Sequence, residues 1–368
     1  MKVLCEQKKF LDALDIVGRA ISSSNTLPVL NNILIKAEGK NLFFSATNLE
    51  IAVRYFFECE VRNEGSITVP AKLLMSYVSL LPNEKLEISA TEGLNFTVKA
   101  DKSQTKMKGI HADEFPVIPQ VDKGSDLVLP VKDLNLAIQQ VAFAASQNSS
   151  RPVLSGVLMV VDKKTLKMVA TDSYRLAEKK IELVKGKDEL VECIIPVKTV
   201  QELGKLLSKT TAQEVFVDIT KNQILFRIGD IEFTSRLIEG RFPDYERIIP
   251  KDSKSKAEVD TQELQLNMKR VSLFARESNN SVKVSVTNDG KLTISTDETK
   301  VGEDRAEVDI VLTGENNKTA LNAEYLLDVL ASIGASRIFI EMNDKLSPVV
   351  IKPCKDDNYV YIIMPLKV

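Results

Sequence analysis

Side chains able to do covalent chemistry are scarce in this chain, and they do not converge. The single histidine, His111, lies in the stretch KGIHADEFP with no serine or cysteine motif beside it. It reads as a surface turn residue rather than a general base. Cys5, Cys59, Cys193 and Cys354 are widely scattered, and no pair has metal or redox spacing. They read as buried free thiols of a cytosolic protein. A glycine-rich phosphate loop, a Gly-x-Ser-x-Gly elbow and a His-Glu-x-x-His helix are all missing from the sequence. Asp172 and Asp244, with Tyr174 nearby, could form a carboxylate site in a cleft. However, Asp172 belongs to a Thr-Asx pair that recurs along the chain, which favours a turn-forming role. The residue types therefore speak against an enzyme, and they offer no cofactor or metal set.

One stretch invites a binding role instead. LIEGRFPDYERIIP, residues 237–250, mixes apolar residues, two prolines and five charges. It has too much proline for an interior strand and is too apolar for an ordinary loop. Phe242, Tyr245, Arg247 and Ile248 are the side chains it could present.

The elements that would position these residues come from an internal repeat. FFSATNLEIAV, KMVATDSYRLA and LTISTDETKV each place Thr-Asx after an apolar run, at Thr47, Thr171 and Thr296, spaced by 124 and 125 residues. Two alternating segments around a polar turn precede each pair, which predicts hairpins. Downstream, TVPAKLLMSYVSLL, IIPVKTVQELGKLL and ALNAEYLLDVLASI predict a short strand and then an amphipathic helix. Pro70 and Pro196 suit the first helical position and Asn322 suits the cap. A further helix is predicted ahead of each hairpin by Phe10, Leu14, Val17 and Ile21, by Leu134, Ile138, Val141 and Ala145, and by Leu264, Met268, Val271 and Ala275. The expected architecture is three tandem α+β domains of about 120 residues, at 1–121, 122–250 and 251–368, a size typical of single domains. A tandem of similar domains turns by a similar angle at each junction, and closes into a ring if that angle permits.

Bulk composition is that of an ordinary globular protein: 368 residues, 44% apolar, 27% charged, net charge −2. No apolar run is long enough to cross a membrane as a helix, and the charged N-terminal stretch does not read as a signal peptide. Any nucleic-acid contact must come from local basic patches. The helical segments carry Lys9, Arg19, Lys72, Lys198, Lys205, Lys209, Lys269, Arg270 and Arg276. Tryptophan is absent and no aromatic run suits base stacking, so loose contact with a duplex backbone fits better than single-strand binding.

The threefold repeat, ATDSYRLA, GRFPDYERIIP and the C-terminal YIIMPLKV together resemble the bacterial sliding clamp, the beta subunit of DNA polymerase III, from TLPVLNNILI at 26–35 to the last residue. The resemblance implies three DNA-clamp domains per chain and a head-to-tail homodimer forming a six-domain ring around double-stranded DNA. Helices would line the hole and sheets the outside. It implies a cytoplasmic processivity factor that tethers the replicative polymerase, the clamp loader and repair proteins through short linear peptides. It further implies a peptide pocket of Leu154, Thr171, Ser173, Tyr174, Arg175, Leu176, Pro243, Arg247, Ile248, Asn322, Tyr325, Ser347, Ile362, Met364, Pro365 and Leu366. Ser173 and Tyr174 stand where family members often carry glycine and histidine. Ser24, Lys72, Arg151 and Lys198 would face DNA, with Ser24 where a basic residue is often found. The dimer contact would set KSQTKMKGI against LFARE, nominating Lys102, Lys106, Met107, Leu273, Phe274 and Glu303. Comparing the repeats separates scaffold from addition: Phe-Pro and Ile-Pro occur in both HADEFPVIP and IEGRFPDYERIIP, whereas Asp244 to Arg247 are extra. The competing readings are an interdomain enzyme and a peptide scaffold that never touches DNA.

Overall fold

The computed structural model describes residues 1–21, 27–119, 124, 127–148, 150–300 and 302–367. Ser24 and the expected boundary between residues 121 and 122 lie outside the described residues. Those described divide into two compact units, residues 1–131 with 202–237, and residues 132–201 with 238–368.

The first unit holds two antiparallel sheets. One runs Glu60–Asn63, Lys2–Glu6, Lys85–Ala90, Asn95–Lys99, Gln104–Lys108. The other runs Gly65–Pro70, Asn32–Glu38, Asn41–Thr47, Ile51–Glu58, Ile231–Arg236, Gln223–Ile228, Glu214–Ile219, Leu127–Pro130. The second unit continues strand to strand through Gly156–Thr171, Arg175–Pro196, Tyr359–Ile363, Val349–Pro353, Arg337–Met342, Ser255–Asp260, Arg305–Gly314, Lys291–Ser295, Ser281–Thr287 and Asn317–Asn322. Each unit thus contains one long-range pairing that sews a late strand to an early one. Ile231–Ser235 lies against Ile51–Tyr55, and Tyr359–Ile363 lies against Arg175–Lys179.

The helices, α1 (Gln7–Val17), α2 (Ala71–Ser79), α3 (Val131–Val141), α4 (Val197–Leu207), α5 (Thr261–Ala275) and α6 (Ala323–Ser332), fall where the repeat predicts. Their apolar stripes are buried: Phe10, Leu14 and Val17, then Leu134, Ile138 and Val141, then Leu264, Met268, Val271 and Ala275. The stripes end sooner than the spacing suggests in the first two copies. Gly18–Ala20 and Ala142–Ala144 tighten into 3₁₀ turns, so Ile21 and Ala145 lie beyond the helices. Pro70 and Pro196 end their strands and precede the helices, one position before the expected first turn. There their fixed φ suits the extended backbone at the strand end. Cys5 and Cys193 are buried, but Cys59 and Cys354 are half-buried because they follow strand ends, Cys59 between two strands and Cys354 in a turn. His111 is exposed at the entrance of a 3₁₀ turn, as its context implies.

The third copy replaces proline with a side-chain cap. Asn322 Oδ1 accepts from the N–H of Glu324 at 2.8 Å and more weakly from that of Tyr325. Asn322→Ala should destabilise the protein by about 1 kcal/mol, the usual worth of such a cap. Chemical denaturation followed by circular dichroism measures it, and an unchanged midpoint would show that α6 is held by packing alone.

Candidate functional site

The site grows from the Thr-Asx turn. The Thr171 hydroxyl donates to Arg175 O at 2.6 Å and accepts from the Ser173 N–H, while Asp172 Oδ1 accepts from the N–H groups of Tyr174 and Arg175. The first copy repeats this bond for bond. Thr47 donates to Ile51 O and accepts from the Leu49 N–H, and Asn48 Oδ1 accepts from Glu50 and Ile51. The turn requires a left-handed residue in its middle, at Leu49 (φ 75°) and at Ser173 (φ 80°). A glycine would adopt that backbone without the strain a side chain carries there. The third copy departs: the Thr296 hydroxyl accepts from the Asp304 N–H, and Asp297 pairs with Lys283. The Asx turn is therefore a feature of two copies, because the third chain segment loops out before its next strand.

Below the second turn lies an apolar cluster of Leu158, Val169, Leu176, Ile194, Phe242, Tyr245, Val350 and Ile362. Phe242 and Tyr245 meet edge to face, ring centroids 6.3 Å apart. Tyr245 is thus a core residue of the stretch 237–250 and not a presented one. Its hydroxyl donates to Glu178 Oε2 at 2.8 Å. Burial and the neighbouring Glu178 carboxylate push its pKa well up, so it remains the donor. Arg247 and Ile248 remain outward, Arg247 paired with Asp244 at 2.6 Å. Asp172 bonds its own Arg175 at 3.0 Å, so each candidate carboxylate is committed to an arginine three residues on. That is structural pairing rather than an acid–base dyad.

The chain end reaches the same place. The Met364 N–H donates to Tyr174 O and the Leu366 N–H to Ala320 O, both at 2.8 Å. Met364, Pro365 and Leu366 are half-buried. Around the cluster stand exposed apolar side chains: Tyr174 at 64% exposure, Ile248 at 42% and Leu346 at 62%. Pro243 is exposed, while Asn322, Tyr325 and Ser347 are half-buried. Leu154, Thr171, Leu176 and Ile362 are buried and support the surface from beneath.

Arg175 is the most heavily bonded side chain of the site. Its Nε reaches Asp172 at 3.0 Å, one terminal nitrogen pairs with Asp328, and the other donates to Phe143 O at 2.8 Å. The guanidinium lies 4.5 Å above the Tyr325 ring centroid. Burial works against its charge, but Tyr361 and Asp328 raise its pKa overall. The Tyr361 hydroxyl in turn donates to Tyr325 O. Asp328, Phe143, Tyr361, Glu178 and Leu346 are not among the sequence-derived site residues. Asp328 had one available signal, its place three residues after Tyr325 on the same helix face.

Of the DNA-facing candidates, Lys72 and Lys198 are exposed at the second positions of α2 and α4, where the third copy has Glu324. Arg151 is exposed, and its guanidinium lies 3.4 Å from the Ser173 hydroxyl, beside the turn. Lys102, Lys106 and Glu303 are exposed, Leu273 is 59% exposed, Phe274 is half-buried and Met107 is buried.

By class, then, this is a repeat-built α+β protein in which the turn 171–175, the stretch 242–248 and the chain end meet over one apolar cluster. Family models of the DNA polymerase III beta subunit match residues 1–119 (N-terminal domain), 128–244 (central domain) and 246–367 (C-terminal domain). The chain is 30% identical over 376 residues to the beta sliding clamp of Staphylococcus aureus, covering all of this chain and 99% of that one. It superposes on the DNA polymerase sliding clamp of Bacillus subtilis with a TM-score of 0.95 at 30% identity, covering 100% and 99% of the two chains. A Pseudomonas aeruginosa sliding clamp bound to griselimycin also matches over its whole length, at 29% identity. The chain belongs to the DNA polymerase III beta subunit family, the beta sliding clamps. The family is a non-catalytic processivity factor of replication, so the chain is not an enzyme.

Tyr245→Phe should cost about 1–3 kcal/mol, because it removes the hydroxyl donor from the buried Glu178 Oε2 and leaves the carboxylate only Lys180, 3.6 Å from its other oxygen. Urea unfolding of the variant tests this, and a loss below the measurement error would show that Glu178 finds water instead.

Proposed function

We propose that this protein works as a head-to-tail homodimer whose six domains, 1–121, 122–250 and 251–368 in each chain, form a ring around double-stranded DNA. Helices face the hole and sheets the outside. Retention on DNA is topological, so only loose phosphate contact is needed, from residues such as Lys72, Arg151 and Lys198. The groove around Tyr174, Tyr325 and Met364 takes short linear peptides of the replicative polymerase, the clamp loader and repair proteins. A peptide of that size buries little area, and micromolar affinity suits partners that exchange. The site of action is the cytoplasm. No helix of the described residues is long and apolar enough to cross a membrane.

One observation carries the ring. Three equivalent backbone bonds close the three copies: the N–H of Ile110 to Thr68 O, of Ile238 to Ile194 O, and of Leu366 to Ala320 O. Two further bonds seat the preceding strand on its neighbour: Arg236 N–H to Glu50 O, and Met364 N–H to Tyr174 O. The third such seat would belong to Lys108. Among the described residues, no strand pairs with the outer edge of Gln104–Lys108, or with the matching edge of Arg305–Asp309. An open strand edge calls for a partner. Transposing the two observed registers puts Ser103–Met107 against Gly302–Ala306 of a second copy. Lys106 then opposes Glu303, and Lys102 opposes Glu307. Leu80, 85% exposed, occupies the place of the buried Leu206 in the next copy, and Leu273 and Phe274 would cover it. Such a head-to-tail contact is heterologous, and it closes after two chains.

Retention on DNA tests the function. Loaded protein should stay on nicked circular DNA and leave once the circle is cut. Equal release from both forms would leave only a peptide scaffold. The double substitution Leu273→Ala, Phe274→Ala should give monomers in sedimentation velocity, and an unchanged dimer mass would move the interface elsewhere.

A further inference from the structure

An acid at the same place on the second helix of the second and third copies is met by arginines from two different places. Glu202 of α4 and Asp328 of α6 are repeat equivalents, each six residues after the residue, Pro196 or Asn322, that ends the preceding strand. Glu202 meets Arg19, at 3.4 Å, from the 3₁₀ turn that follows α1. In the next copy that position is Phe143, from the 3₁₀ turn after α3. Phe143 has no charge, and it offers its carbonyl and the face of its ring, 5.6 Å from the Arg175 guanidinium. The arginine that meets Asp328 comes instead from the Thr-Asx turn, at Arg175, where the first copy has Ile51. The ion pair has therefore been rerouted through the wall of the groove.

We propose that Asp328, which is not itself part of the groove, is its positioning residue: by holding Arg175 it fixes the turn that presents Tyr174 and the ring of Tyr325, and it keeps the groove selective for uncharged apolar peptides. This rests on the peptide-groove reading above. The Arg175 guanidinium is held through three of its five N–H donors and against an aromatic ring. Asp172 holds Nε, Asp328 one terminal nitrogen, the Phe143 carbonyl the other, and Tyr325 the flat face. The side chain is only 10% exposed. A guanidinium already paired with two carboxylates and so little exposed is a poor anchor for a carboxylate on a ligand. What remains for the ligand is the apolar surface of Tyr174, Ile248, Leu346 and Met364. Asp328 itself is 45% exposed, so the pair is partly screened, and its effect is one of geometry and selectivity rather than of global stability.

The test compares two fluorescein-labelled synthetic heptapeptides by fluorescence anisotropy against the full-length protein. Both carry two leucines and a phenylalanine; one has a central glutamine and the other a glutamate. Wild type should prefer the glutamine peptide. Asp328→Asn should bind it roughly three- to tenfold more weakly, as expected for loss of a partly exposed charged pair. It should bind the glutamate peptide no worse, because Arg175 is released toward the ligand. Asp328→Glu should restore the wild-type preference, and a simple loss of packing would not produce that pattern. If wild type binds with the expected preference and Asp328→Asn leaves both affinities unchanged, or lowers both equally, the positioning role is overturned. If wild type binds neither peptide, or if Ile248→Asp leaves binding intact, the groove reading falls and this inference with it.

Discussion

A β-strand edge leaves a row of backbone donors and acceptors that something must satisfy. Much of this protein follows from how that demand is met three times. In each copy the last strand turns out of its own sheet, fixed by the same bond: Ile110 to Thr68, Ile238 to Ile194, Leu366 to Ala320. In two copies that strand is zipped onto the edge of another copy, at Ile51–Tyr55 and at Arg175–Lys179. Among the described residues, no strand pairs with the outer edge of Gln104–Lys108 or of Arg305–Asp309. The head-to-tail assembly proposed above would treat all three junctions alike. It would also fit a slightly negative net charge. A ring that holds DNA by enclosure does not need the dense phosphate contacts of a protein that grips it.

The same constraint explains what could be read from sequence. Period-two and helical patterns mark strands and helices locally, and the spacing of Thr47, Thr171 and Thr296 exposes the repeat before any fold is known. The buried stripe of α5, Leu264 to Ala275, follows its pattern to the end. What failed was local punctuation. Pro70 and Pro196 end strands rather than begin helices, and Ile21 lies beyond a 3₁₀ turn. Asp297 looks like its two counterparts in sequence. Yet the residues after it loop out before the next strand, and its carboxylate turns to Lys283 instead of to backbone. Such choices are set by neighbours that only the folded chain supplies.

The candidate site was legible in its outline and not in its wiring. The turn 171–175, the stretch 242–248 and the chain end do converge. The stretch 237–250 divides as its repeat partner suggests, with Phe242-Pro243 shared and Arg247 and Ile248 outward. Tyr245, however, belongs to the floor, because its ring packs on Phe242 and its hydroxyl reaches the buried Glu178. Glu178 is invisible as a partner in sequence, since cross-strand burial, not spacing, brings the two together.

Arg175 shows how a repeat acquires a site at one junction only. At the first junction the helix acid Glu202 is met by Arg19, from the 3₁₀ turn after α1, and the Asn48 turn carries Ile51. Once an arginine sits in the turn instead, three demands fall on one side chain: Asp172, Asp328 and the Phe143 carbonyl. A residue so constrained can shape a surface without offering charge to it. Tyr325 gains a cationic face to lie under, and the Asx turn gains a brace that Leu49 and its neighbours lack. The left-handed Ser173 carries the strain of the same turn, and a braced turn tolerates that strain better than a free one. One charge has thus moved from a helix end to a turn, while the Thr-Asx turn itself keeps the bonds of the first copy.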